Sequence, residues 1–167
     1  MKKALLVVDM QEIYVGEEHN AFFKYDMETL VKQVNQVIDS YEGQLVIYIR
    51  NIMKKNFINK LAPVKVYDGW KEAQLAGKLH VVSDYMIEKY VGNAFSNPEL
   101  NTLLKEHNID EVELIGVDGG GCVALTAFGA CKAGYQVTMN TKAIGTMLIG
   151  KQKKYNKRLL KLGVRFI

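Results

Sequence analysis

Short apolar runs alternate with stretches of helical spacing along nearly the whole chain, an order that few architectures accommodate. Lys3 to Val8 is a continuous apolar run of the kind buried on both faces of a parallel sheet, and it ends at Asp9. Met27 to Tyr41 carries Leu30, Val31, Val34, Val37, Ile38 and Tyr41 at helical spacing behind Asp26 as N-cap, and Gly43 ends it. Leu45 to Ile49 reads as a second buried strand, Leu79 to Val82 as a short third, Glu111 to Val117 as a fourth and Tyr135 to Met139 as a fifth. Ile87 to Asn97 reads as a connection. Asn97 and Pro98 open a helix that runs to about His107, a second begins near Cys122 and is closed by Gly134, and a third covers Lys151 to Leu162 before a short final strand, Val164 to Ile167. The connection from Arg50 to Lys78 is long for its place between elements and calls for a short helix of its own. Together these elements predict a Rossmann-like, three-layer α/β/α fold with a mostly parallel sheet of about six strands.

At 167 residues the chain has the size of one domain, residues 1–167, without a linker or internal repeat. A hydrophobic share of 49% and a charged share of 24% are those of a globular protein rather than a disordered or fibrous one. The formal charge of +4 comes largely from Lys54, Lys55, Lys60 and the stretch Lys151 to Lys161, and no nucleic-acid-binding motif accompanies it, so solvated helix faces are expected and nucleic acid is not. The opening MKKALLVV is too short for a signal peptide and no later run reaches bilayer length, which argues against membrane association. Two cysteines make neither a disulfide framework nor a zinc cluster, and a reducing, cytoplasmic setting is expected.

In open parallel sheets, ligands bind beyond the carboxyl ends of the strands, where strand order reverses. Cys122 follows Gly119, Gly120 and Gly121 at the start of a helix, where free backbone amides and the helix dipole favour a thiolate and can hold an oxyanion. Cys131, nine positions on, points to the opposite side of an ideal helix and reads as core. Asp9 closes an apolar strand, so its carboxylate needs a partner, and a general base at that edge would take the thiol proton. Lys89 is one lysine among many, and only a place beside Asp9 and Cys122 would give it a role in lowering the thiol pKa. His19, His80 and His107 have no metal-ligand spacing.

LLVVDMQ at the first strand, EKYVGNAFSNPEL in the middle and ELIGVDGGGCVALTAFGACKAGYQV in the second half make nearly the full chain resemble the isochorismatase-like cysteine hydrolases, which include nicotinamidases and other amidohydrolases. The resemblance implies Asp9 as general base, Lys89 as catalytic lysine and Cys122 as nucleophile. It also implies a cis peptide around Val117 and Asp118, oxyanion or substrate contacts from Asp118 and Gly121, and pocket-supporting or pocket-lining places for Gln11 and Phe95. A homo-oligomer, dimer or tetramer, acting on a small-molecule substrate without a cofactor is the further implication. Departures exist: the region after the second strand, IYIRNIMKKNFINK, lacks the aspartate and histidines with which nicotinamidases hold a metal, and Ile13, Tyr14, Gly129 and Lys142 replace the usual DF pair and two acidic residues. The expected reaction is therefore metal-independent hydrolysis of a small amide through Asp9, Lys89 and Cys122. The alternatives are vinyl ether hydrolysis as in isochorismatase, a non-catalytic scaffold of the same fold, and a thiol redox enzyme, the last lacking a CxxC pair.

Overall fold

The computed structural model describes residues 1–19, 21–55, 59, 61 and 64–167. Among them the strands are β1 (Lys3–Val8), β2 (Leu45–Asn51), β3 (Met86–Lys89), β4 (Glu111–Val117), β5 (Gln136–Gly145) and β6 (Arg165–Phe166), and the helices are α1 (Glu12–Val15), α2 (Met27–Asp39), α3 (Pro98–Glu106), α4 (Cys122–Ala133) and α5 (Ile149–Lys161). The strands form one sheet in the order β3-β2-β1-β4-β5-β6, every pair parallel. The alternation of apolar runs and helical stretches thus yields the α/β fold it implies.

The two-residue period of β1 sorts its side chains between two cores. Ala4, Leu6 and Val8 join Ile47, Ile49, Val112 and Leu114 beneath Leu100 and Leu104 of α3, Val123, Ala124, Ala127 and Ala130 of α4, and Leu159 of α5. Leu5 and Val7 join Val46, Tyr48, Ile115 and Val117 against Leu30, Val31, Val34 and Ile38 of α2. Apolar residues on both faces explain why β1, β2 and β4 read as unbroken hydrophobic runs.

Caps set the helix ends. Asp26 Oδ1 accepts the Thr29 amide at α2, Asn97 Oδ1 accepts the Glu99 amide at α3, and Gly134, with φ 93°, takes the left-handed conformation that closes α4. No helix among the described residues is long and apolar enough to cross a membrane.

Two strands differ from the sequence reading. The third strand is Met86–Lys89, not Leu79 to Val82. Leu79 is a buried anchor in the α2-side core, whereas Val81 and Val82 are exposed and the Val82 amide donates to the Tyr48 hydroxyl instead of to a ladder. The true β3 is an edge strand in which buried Ile87 and Lys89 alternate with more open residues, so it shows no apolar run. The fifth strand continues past Met139 to Gly145, beyond an irregularity opposite Leu114 and Gly116 that resets the register. Within the connection from Arg50 to Lys78 a 3₁₀ turn at Lys71–Ala73 supplies a short helical element, while residues 56–58, 60, 62 and 63 lie outside the described ones.

Strand order reverses between β1 and β4: the chain lays β2 and β3 to one side of β1, then β4, β5 and β6 to the other. Asp9 and the turn 118–121 follow these two strands and face each other across the crevice that parallel sheets offer to ligands.

Candidate active site

Asp9 leaves β1 in the left-handed region, φ 54°, with its amide donating to Ile49 O, and its side chain is buried. Lys89, the last residue of β3, is fully buried and reaches across the carboxyl edge of the sheet. Its Nζ donates to Asp9 Oδ2 at 2.9 Å, Cys122 Sγ at 3.3 Å and Asn51 Oδ1 at 3.4 Å. An ammonium has three protons, and these three acceptors take them all. Residues more than thirty positions apart in sequence therefore share one charge centre.

Burial and mutual charge govern this centre. Desolvation raises the Asp9 carboxyl above its usual range and the nearby ammonium of Lys89 offsets only part of that rise. Burial works against the charge on Lys89, but Asp9 and Cys122 opposite it outweigh that penalty and hold its pKa above the ordinary lysine value. The thiol of Cys122 is pushed up to about 12, first by burial and then by the Asp9 charge, with Lys89 pulling the other way. The helix terminus and the ammonium favour a thiolate, and the Asp9 charge opposes it: beside an ionised Asp9, a second anion facing one ammonium is disfavoured. Asp9 Oδ1 is buried and has no hydrogen-bond partner among the described residues, so it is the acceptor still open to the thiol proton.

The turn from Asp118 to Gly121 follows the cis peptide Val117–Asp118. Gly119 N–H donates to Gly145 O, Gly120 N–H to Asp118 Oδ1, and the amides of Gly121 and Val123 both to Asp118 O. Gly121 is thus not an oxyanion donor as expected, because its N–H is already spent within the turn; the amides of Asp118 and Cys122 are those left without a partner among the described residues. The Asp118 side chain serves the loop: its Oδ2 accepts the amides of Met147 at 2.7 Å and Leu148 at 3.1 Å, fastening the turn to the start of α5 and leaving the Asp118 backbone amide as the group that faces outward from the turn's hydrogen bonds. A Cβ at Gly120 would lie 2.2 Å from Leu148 O, so the glycine serves this close loop packing.

Gln11 is buried and fully engaged with backbone. Its Nε2 donates to Asn51 O and Ala73 O, and its Oε1 accepts the Asn51 amide at 2.7 Å, so it holds the end of β2 in place. Phe95 is partly buried against the core on the α4 side, its ring packed on that of Tyr135 with centroids 5.8 Å apart. Cys131 is half-buried against the core on the α4 side, as its spacing implied.

Asn51 and Tyr14 are the site residues that the sequence did not mark. Asn51 ends β2 at the same edge as Lys89, its partner in register, and its Nδ2 donates to Tyr14 OH at 3.0 Å. Tyr14 packs edge-on to Phe23 at 5.0 Å, and burial followed by the Asp9 charge raises its pKa strongly. The signal available for Asn51 was its position at a strand's carboxyl end, one or two residues beyond where the apolar run fades. Among the described residues no three His, Cys, Asp or Glu side chains stand together in a way that could hold a metal ion.

Residues 3–167 match the family model of the isochorismatase domain. Similar solved structures include an isochorismatase-like hydrolase from Alkaliphilus metalliredigens, 23% identical with a TM-score of 0.85 over 99% of this chain and 94% of that one. N-carbamoylsarcosine amidase from Thermoplasma acidophilum is 24% identical with a TM-score of 0.82, covering 99% and 95%. A pyrazinamidase/nicotinamidase from Streptococcus mutans is 24% identical with a TM-score of 0.86, covering 99% and 100%. At these identities the structural likeness establishes the fold alone. No curated protein matches the sequence.

Proposed function

The chain belongs to the isochorismatase family of hydrolases, and from that premise we propose that it cleaves the C–N bond of a small amide by covalent catalysis at Cys122. The observation that carries this reading is the buried ammonium of Lys89, 2.9 Å from Asp9 and 3.3 Å from the Cys122 sulfur. Two of the similar structures are, by name, an N-carbamoylsarcosine amidase and a pyrazinamidase/nicotinamidase, which favours an amide over a vinyl ether as the bond attacked.

Asp9 Oδ1 takes the thiol proton, and because one anion replaces another beside Lys89 the transfer leaves the buried site's net charge unchanged. The thiolate attacks the amide carbon, a C–S bond forms, and the carbonyl electron pair moves to oxygen. The unpaired amides of Asp118 and Cys122, at the positive end of α4, stabilise that oxyanion. Collapse breaks the C–N bond as Asp9 returns its proton to the departing amine. Water then gives a proton to Asp9 while attacking the thioester, and the second collapse releases the carboxylic acid and restores the thiol through Asp9.

Among the described residues, the side chains from Arg50 to Met53, at the end of β2 and just past it, do not suit a divalent cation. Arg50 is cationic and paired with Glu88, Asn51 already serves Lys89 and Tyr14, and Ile52 and Met53 offer no oxygen or imidazole ligand. No step is assigned to a metal, and amide turnover should survive exhaustive dialysis against a chelator. Loss of turnover that zinc or manganese restores would contradict this.

The covalent step is tested by mixing the protein with a panel of small primary amides, quenching in acid and mapping the peptides by mass spectrometry. Any amide that is turned over should leave its acyl mass on the Cys122 peptide and none on the Cys131 peptide. Turnover without acyl-Cys122 under conditions that trap a thioester would remove Cys122 as nucleophile.

A further inference from the structure

The hydrogen-bond chain that fixes Lys89 continues outward and determines how Tyr14 is oriented. An ammonium only donates, so the Asn51 atom 3.4 Å from Lys89 Nζ must be the amide oxygen. The same amide then has to present its NH₂ to Tyr14, whose hydroxyl oxygen lies 3.0 Å from Nδ2. Turning the amide over would set its NH₂ against the Lys89 ammonium, which fixes the orientation, while the buried Gln11 side chain holds the Asn51 backbone N–H and C=O. The Tyr14 oxygen is therefore an acceptor from Asn51, and its own hydrogen points elsewhere. Among the described residues nothing accepts it.

The ring is also held. Tyr25 OH donates to Tyr14 O at 3.2 Å, and Phe23 packs edge-on against the Tyr14 ring. A rigid phenol thus stands two hydrogen bonds from Lys89 and three from the Cys122 sulfur, with a donor to spare. Tyr14 is only partly buried, so a ligand that displaces water from its hydroxyl either supplies an acceptor or leaves that donor unpaired at a cost.

We propose that Tyr14 is a specificity-determining residue whose hydroxyl donates a hydrogen bond to a second acceptor on the substrate, so that the site selects small amides carrying such an acceptor over hydrocarbon amides of the same shape. The inference rests on the amide reading of the site, and it adds which amides are taken. The acceptor can be a ring nitrogen, a carbonyl or a carboxylate oxygen; what they share is a lone pair held at a fixed distance from the scissile carbonyl.

The test reads binding, so it does not depend on turnover. Cys122→Ala protein is titrated by calorimetry with benzamide and with the three pyridine carboxamides, which move one ring nitrogen around an unchanged outline. At least one pyridine carboxamide should bind about tenfold more tightly than benzamide, the worth of one neutral hydrogen bond. Adding Tyr14→Phe should remove that preference while leaving benzamide affinity within about twofold. Equal affinities for all four amides, a preference that survives Tyr14→Phe, or no binding of any of them overturns the proposal. In the protein with Cys122 intact, Tyr14→Phe should leave the pH profile of thiol alkylation unmoved; a shift would assign the phenol to the thiolate instead of to the ligand, and would equally overturn it. Absence of acyl-Cys122 in the trapping experiment would sink the hydrolytic reading and leave these affinities unaffected, so the two failures are distinguishable.

Discussion

Asp9→Asn should fold, lose amide turnover by on the order of a hundredfold or more, and yet alkylate faster at Cys122 near neutral pH. The two effects go in opposite directions because Asp9 acts on the thiol in two ways. As a base it receives the proton, through the Oδ1 that has no hydrogen-bond partner among the described residues. As a charge it opposes ionisation of the sulfur, and this, added to burial, holds the thiol at about 12. Asparagine removes both. Burial still raises the thiol, but Lys89 is left with the sulfur as its one possible counter-anion, so the thiol pKa should move down from its wild-type position. The resulting thiolate is reactive toward iodoacetamide and poor in catalysis, since no group remains to protonate the leaving amine or to activate water. Alkylation rate against pH, measured beside turnover on the same protein, separates the roles. Near-wild-type turnover would show that Asp9 is not the base, and an upward shift of the alkylation profile would contradict the charge argument.

How much of this was legible beforehand varies with the physical signal each residue leaves. Asp9 was readable because a carboxylate ending the apolar run of β1 is out of place without a partner, and Cys122 because three glycines lead from a buried strand into a helix. Lys89 left no such mark. Its burial depends on the path of an edge strand whose alternating pattern hides it, and the reading that put the third strand at Leu79 to Val82 took one buried leucine and two exposed valines for a ladder. Only the resemblance to known hydrolases singled it out. The resemblance also implied an oxyanion or substrate contact from Gly121, but which amides stay free depends on the fold of the turn on itself, where Asp118 O captures those of Gly121 and Val123. Asn51 was missed for a related reason: its importance lies in what its two amide atoms touch, and neither Lys89 nor Tyr14 is near it in sequence. Periodicity finds layers and strand ends, whereas long-range hydrogen bonds decide what meets there.

Lys89→Met should cost about 3 to 5 kcal/mol of folding stability and abolish measurable turnover, because it leaves the buried Asp9 carboxylate without its counter-charge. Methionine fills most of the volume, so the loss is mainly electrostatic. The double variant Asp9→Asn, Lys89→Met should recover most of the stability and none of the activity, since no uncompensated charge then remains in the site. Urea denaturation of the wild type, both single variants and the double variant gives the coupling directly. The pH dependence fixes its origin. Burial already raises the Asp9 carboxyl above 3.8, and without Lys89 nothing opposes that rise. A carboxyl that binds its proton more tightly in the folded state than in the unfolded one destabilises the fold as it ionises. The deficit of Lys89→Met should therefore be small near the unfolded value, grow as pH rises toward the raised folded one, and level off above it. If the deficit instead stays constant from pH 4 to pH 8, or the double variant is as unstable as Lys89→Met alone, the cost comes from lost packing and Lys89 is not held in place by the charge of Asp9.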